Sequence, residues 1–171
     1  MDILNNVINF QPIMPSASQI IAELQDLLDE AIAIDQADMG TIHLYDAQTE
    51  TLRIVVHKEL NAEFLEYFNV VKPFDSSACG RAAGIGNIVV ISDVMHDVAF
   101  TPHRPIAKRA GFRSVKSVPL LAGGKLLGVL SIHFKTVQWS WQIGVLNTQI
   151  DKITQLLENS SNVKLIDTGS N

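Results

Sequence analysis

The stretch 113–134, RSVKSVPLLAGGKLLGVLSIHF, constrains the fold more than any other part of the chain. Two runs of strand length, 113–121 and 126–134, flank Gly123-Gly124, and a glycine pair between such runs predicts a β-hairpin. Along the second run Leu130, Ile132 and Phe134 share one face, and Val129, Ser131 and His133 share the other. The apolar face is expected to meet helices. The mixed face is expected to border a cavity, because a serine and a histidine packed beneath helices would need hydrogen-bond partners. Register decides what opposes them. A two-residue turn pairs Ser117 with Leu130, whereas a three-residue turn with a bulge pairs it with Ser131. The mixed face of the first run is accordingly either Val115, Ser117 and Pro119, or Ser114, Lys116 and Val118. Gly128 would let the backbone pass close to a neighbour, and Pro119 suits a bulge or an edge.

Outside the sheet-forming part the periodicity is helical. Over 16–36, after the start signals Pro15, Ser16 and Ser18, the residues Ile20, Leu24, Leu27, Ala31 and Ile34 recur at spacings of four and three. Over 140–158 the residues Ile143, Leu146, Ile150, Ile153 and Leu157 do the same. Both stripes read as narrow seams, which either cover one face of a sheet or pair and meet a second copy. Between them lie strands at 39–46 and 51–59, a short helix at 61–69 and a helix or turn at 76–84. A buried strand follows at 88–91, then a short helix at 103–110 closed by Gly111. This order predicts an α/β domain of the α+β kind, with one mainly antiparallel sheet of five to six strands. Terminal helices cover one face, and short helices and loops lie over the other, leaving a cleft of the kind that holds small ligands. The expected boundaries are an N-terminal segment 1–17, a domain 18–158, and a flexible tail or linker 159–171 rich in Ser, Asn and Gly.

Composition removes several function classes. Thirteen basic residues against eighteen acidic give a net charge of −5 with no basic run, so nucleic acid is not an expected partner. The longest apolar runs are of strand length, so no membrane span is expected. Residues 1–10 show neither a basic flank nor a cleavage-like site, so no signal peptide is expected. A single cysteine cannot form an intrachain disulfide, which points to the cytoplasm. The five histidines, at 43, 57, 96, 103 and 133, are scattered rather than set at metal-ligand spacing, so no metal is expected.

Four pieces, ADMGTIHLYDAQTETLRIV, SACGRAAGIGNIVVISDV, AGFRSVKSVPLLAGGKLLGVLSIHF and VLNTQIDKITQLLEN, together resemble a GAF domain over residues 18–158. The resemblance implies a sensory or regulatory module, usually dimeric, attached to a histidine kinase, cyclase, phosphodiesterase or transcription regulator. It also supplies chemistries against which Cys79 can be weighed. In bilin-binding photoreceptors of this family a common attachment cysteine precedes a histidine. Here PHRPIAKRAGF places His103 at that histidine and Pro102 at the cysteine's position, so covalent bilin is not expected. The free methionine sulfoxide reductases of the family need a nucleophilic and a resolving cysteine, and one cysteine alone would need an external thiol. A histidine-activated thiol is the third chemistry, but Arg81 is the only cation near Cys79 in sequence. The expected reading is a small inert thiol packed among Ser77, Ala78, Ala82 and Ala83. The Asn-Lys-x-Phe-Asp-Glu motif of cyclic-nucleotide-binding members is not reproduced.

Resemblance to phytochromes places Ser117 and His133 at pocket positions and favours the Ser117–Ser131 register. Asp93 matches their pocket aspartate, although the proline that normally follows shortly after is absent. The candidate ligand-binding residues are His103, Ser117, Ser131, His133, Asp93 and Arg113. A ligand carrying a carboxylate, carbonyl or phosphate could satisfy both histidines, with Arg109 or Arg113 near the mouth as charge partner. The expected function is a non-catalytic sensory domain of a signal-transduction protein that binds a small molecule non-covalently and relays the signal through its terminal helices to an output domain or partner. A homodimer through helices 18–36 and 140–158 accompanies it. The alternatives are a ligand-free dimerisation module and a redox enzyme using Cys79. The sequence names neither ligand nor cofactor.

Overall fold

The computed structural model describes residues 14–166. In chain order its elements are α1 (Ala17–Ile34), β1 (Met39–Asp46), β2 (Thr51–Lys58), α2 (Ala62–Tyr67), β3 (Val70–Val71) and α3 (Ala78–Ile85). There follow β4 (Val89–Ile91), α4 (Arg104–Ala110), β5 (Ser114–Ala122), β6 (Lys125–Phe134) and α5 (Asn147–Asn159). Short 3-10 turns occupy Thr101–His103 and Ile143–Leu146. The strands form one six-stranded sheet in the order β3-β2-β1-β6-β5-β4, with every neighbouring pair antiparallel. The fold is α+β, as the alternation of periods predicts.

The β5–β6 hairpin reaches its register by an unexpected route. Gly123 and Gly124 both have positive φ, 55° and 80°, and make a two-residue turn in which Ala122 pairs with Lys125. Leu121 pairs with Leu126, and then the register slips so that Leu120 faces Gly128 and Ser117 faces Ser131. The bulge therefore sits in the strand at Leu127, not in the turn. Without it, Ser131 would point to the opposite face of the sheet. Gly128 lies hard against β1, where a Cβ would stand 2.2 Å from the His43 carbonyl oxygen. No side chain fits there.

The outer face of the sheet carries α1 and α5. Ser16 caps α1 in a reciprocal pair with Gln19, its hydroxyl accepting from the Gln19 amide at 3.3 Å while Gln19 Oε1 accepts from the Ser16 amide at 2.7 Å. The buried stripe of α1 is Ile20, Leu24, Leu27, Leu28, Ala31 and Ile32, and Ile34 is 41% exposed. That stripe is wider than the seam expected from the sequence, because a helix lying on a sheet buries three to four positions per two turns. Leu146, Ile153 and Leu157 join the same core with Ile42, Leu130 and Ile132 from the sheet. The last helix starts at Asn147 and not at 140. Trp141 stacks edge-on against Phe134 at 5.6 Å and donates its indole N–H to Ser92 Oγ at 3.2 Å, which ties the preceding segment to the sheet in an extended form. Beyond α5, Val163, Leu165 and Ile166 pack partly buried on the outer core, so contact with the sheet continues past residue 159. Residues 1–13 of the expected N-terminal segment, and residues 167–171 of the expected tail, lie outside the described residues.

One charged side chain is sealed into this layer. Lys116 on β5 is fully buried, its Nζ 2.5 Å from Asp35 Oδ2 at the C-cap of α1 and 3.1 Å from the Gln142 carbonyl. The lysine thus ties the hairpin to the end of α1 and to the segment that leads into α5. The inner face carries α2, α3 and α4 over a second core rich in phenylalanine, including Phe64, Phe68, Phe100 and Phe112. Among the described residues no helix is long and apolar enough to cross a membrane.

Candidate functional site

The mixed face of the hairpin borders a cavity of about 20 Å³, room for a water-sized group. Its floor spans three adjacent strands. Thr41 on β1, Ser131 on β6 and Ser117 on β5 stand opposite one another in register, forming a row of three buried hydroxyls. Ser117 and Ser131 hydrogen bond to each other at 2.7 Å. His43 and His133 line the cavity from positions two residues beyond Thr41 and Ser131 respectively. The roof comes from the short-helix layer: Phe64 and Phe68 at α2, Ser77 to Cys79 at the start of α3, and Phe100 and Phe112 on either side of α4.

The two histidines differ in their bonding. His43 Nε2 donates to the Phe68 carbonyl at 3.2 Å, which leaves Nδ1 to accept from the Thr41 hydroxyl at 3.3 Å. Burial lowers its pKa to about 4, with the Phe68 bond opposing the shift, so the ring is neutral. His133 lies edge-on to Phe112 and Phe64, at 4.7 and 5.4 Å between ring centres. Burial, reinforced by the neighbouring His43 and opposed by the Met39 backbone, lowers its pKa to about 3. Its Nδ1 is buried and has no hydrogen-bond partner among the described residues. An unsatisfied buried nitrogen costs about 1–3 kcal/mol.

Ser117, Ser131 and His133 of the expected set therefore line the cavity together. His103 stands one layer back. Its ring hydrogen bonds with Tyr67 Oη at 3.1 Å and Ser76 Oγ at 2.9 Å, and it packs against the lining residues Phe68 and Phe100. It thereby stitches α2, the approach to α3 and the approach to α4 into one roof. Asp93 and Arg113 lie away from the cavity lining and hold each other in a two-pronged pair, at 3.1 and 2.6 Å. Arg113 holds the Asp93 carboxyl well below the usual carboxylate range, with help from His96 and the Met95 amide. Both arginines expected as charge partners at the mouth already have carboxylate partners. Arg113 is engaged by Asp93, and Arg109 by Glu63, whose two oxygens each lie 2.8 Å from Arg109 Nε. Among the described residues no Lys, Arg, Asp or Glu lines the cavity.

Thr41 and His43 are among the lining residues that sequence reasoning missed. They alternate with Ile42 and Leu44, whose burial in the outer core fixes the two of them on the inner face. Cys79 also lines the cavity, with its sulfur 3.3 Å from Ser77 Oγ. Burial pushes its thiol up to about 11, the Ser77 bond opposing, so the reactive thiolate is scarce at neutral pH. Among the described residues no group of three His, Cys, Asp or Glu side chains is placed to hold a metal ion.

The family model of the GAF domain matches residues 19–149. The chain belongs to the GAF domain family. No curated protein sequence matches it. Among solved structures it is similar to the GAF domain region of a Geobacter sulfurreducens membrane protein, at 19% identity and a TM-score of 0.67, covering 84% of this chain and 94% of that one. It is similar also to the GAF domain of an Acinetobacter phosphoenolpyruvate-protein phosphotransferase, at 16% identity and a TM-score of 0.66, covering 84% of each chain. A third similar structure is a free methionine-R-sulfoxide reductase from Neisseria meningitidis in complex with its substrate, at 19% identity and a TM-score of 0.61, covering 85% of this chain and 88% of that one. These likenesses establish the GAF fold, while the cavity chemistry belongs to this chain's own residues.

Proposed function

We propose that this GAF domain is a non-catalytic cytoplasmic regulatory module that holds a small ligand in its inner-face cavity without covalent attachment. The observation that carries this reading is the His133 imidazole, fully buried at the cavity wall with Nδ1 unpartnered among the described residues. A polar atom left unsatisfied in a packed interior is retained at a cost, and a ligand group would supply the missing bond. A route for the signal is also available. Ser117 faces the cavity and the adjacent Lys116 faces the other layer, where it grips Asp35 at the end of α1 and the Gln142 carbonyl ahead of α5. A shift of β5 would thus be felt at both terminal helices, which we take to lead to an output domain or partner of a signalling protein. The same helices are the proposed contact with a second copy. Their apolar stripes are engaged by the sheet, so the partner would meet the outward positions of α1 and α5.

A redox-enzyme reading draws on Cys79 at the cavity wall and on the fold shared with the Neisseria reductase. The high thiol pKa weighs against it. The test is His133→Phe, which removes the unpartnered nitrogen and keeps a ring between Phe64 and Phe112. A residue kept for a ligand should be dispensable to the fold. The melting temperature is expected to hold or rise by about 2–8 °C, the response to recovering about 1–2 kcal/mol in a domain of this size, while ligand binding is lost. A fall of similar size would show that the imidazole serves the core.

A further inference from the structure

The cavity's chemistry selects among ligands. Phe64, Phe68, Phe100 and Phe112 line it together with Ala78 and Val115, and on its floor the Ser117 and Ser131 hydroxyls hydrogen bond to each other, one donating and the other accepting. His43 spends both ring nitrogens, one on the Phe68 carbonyl and one on Thr41. Arg109 and Arg113 are each held by a carboxylate of their own. A charged ligand entering here would surrender its hydration and find no opposite charge among the described residues, and an unpaired buried charge is costly. Of the ring nitrogens on the two lining histidines, Nδ1 of His133 is buried with no hydrogen-bond partner among the described residues.

We infer that the cavity takes a small uncharged molecule, mostly apolar, whose single hydrogen-bonding group meets Nδ1 of His133. This rests on the ligand-binding reading above and narrows it to a chemical class. A hydroxyl suits the position best, because it can donate to a bare imidazole nitrogen or accept from a protonated one, whichever tautomer the ring adopts. The apolar part then lies among the edges and faces of Phe64, Phe68, Phe100 and Phe112, where ring contacts are favourable. The open volume seats the polar group alone, so the remainder of the molecule must displace the α2 rings, which limits its size. The neutral state of both histidines reinforces the exclusion of anions. Burial lowers the pKa of His133 to about 3, so the ring is neutral at pH 7.

A one-ring charge series tests this on the full chain at pH 7.5: phenol, benzoate and benzylamine, with benzene as the ring lacking a polar group. The readout is the ¹⁵N resonance of the His133 imidazole, titrated in the wild type and compared with binding to His133→Phe. Phenol is expected to shift that resonance with a Kd on the order of 1 mM. Benzene should bind about tenfold more weakly, as loss of one hydrogen bond implies. Benzoate and benzylamine should leave His133 unmoved at the same concentrations. If either ion moves the His133 resonance as strongly as phenol does, the uncharged class is wrong while the cavity stands as a ligand site. If no ring compound moves it, the ligand-binding reading falls as well. Unchanged phenol affinity in His133→Phe would place the phenol elsewhere and overturn the inference.

Discussion

Acidification from pH 6.5 to pH 4 is expected to strip this domain of most of its stability, beginning above the range in which its carboxylates titrate. The folded chain holds His43 and His133 at pKa values of about 4 and about 3, against 6.5 for an ordinary histidine. Above pH 6.5 both rings are neutral whether the chain is folded or not, so they give no pH dependence there. Below it the unfolded chain binds protons that the folded chain refuses, and stability falls with falling pH. Each fully buried ring contributes a slope of about 1.4 kcal/mol per pH unit, so the two together remove on the order of 5–7 kcal/mol by pH 4. That rivals the whole stability of an average domain. His103, also lowered by burial, acts in the same direction. Asp93 does not enter this window, since its depressed carboxyl costs stability only as pH falls below the usual 3.8. Unfolding followed by circular dichroism should show a midpoint between about pH 4 and 5, and His133→Phe should move it to lower pH. A melting temperature unchanged from pH 7 to pH 4 would contradict the burial of neutral histidines.

Lys116→Met should destabilise the fold by about 3–5 kcal/mol, the usual cost of removing one member of a buried ion pair. The lysine is fully enclosed and Asp35 is 9% exposed at its side chain, so the carboxylate left behind cannot recover its hydration. The contact is one of charge at 2.5 Å rather than an aligned hydrogen bond, and the Gln142 carbonyl would lose a donor as well. Removing both charges, as Lys116→Met with Asp35→Leu, should recover most of the loss, because an apolar pair needs no desolvation. Denaturant titration of the two variants reads this directly. A single variant within 1 kcal/mol of the wild type would mean that the pair is solvated, and the proposed link from β5 to the terminal helices would lose its basis.

How far the fold could be read from sequence depended on how local each signal was. The Gly123-Gly124 turn, the Gly111 cap and the alternation along β6 are written in adjacent residues, and the structure follows them. The Ser117–Ser131 register is reached through a feature that no local rule locates, the bulge at Leu127. The site was legible where it lay on that hairpin. Thr41 and His43 join it only because β1 neighbours β6, a pairing that connects residues about ninety positions apart in sequence and has no turn to announce it. Arg113 and Asp93 each read singly as ligand groups in the sequence, yet twenty residues apart they meet each other. The start of α5 was misplaced for a similar reason, since the grip of Trp141 on Phe134 and Ser92 is tertiary and overrides the helical spacing of Ile143.

Native mass spectrometry of the chain purified from its own host reads ligand retention as added mass. The wild type should carry a discrete added mass under native conditions, lose it on denaturation, and lack it in His133→Phe. The same spectrum reports whether the ligand-bearing species contains one copy or two. A folded wild type with the bare mass of the chain, identical to the variant under every condition, would contradict the account and leave the cavity as packing alone.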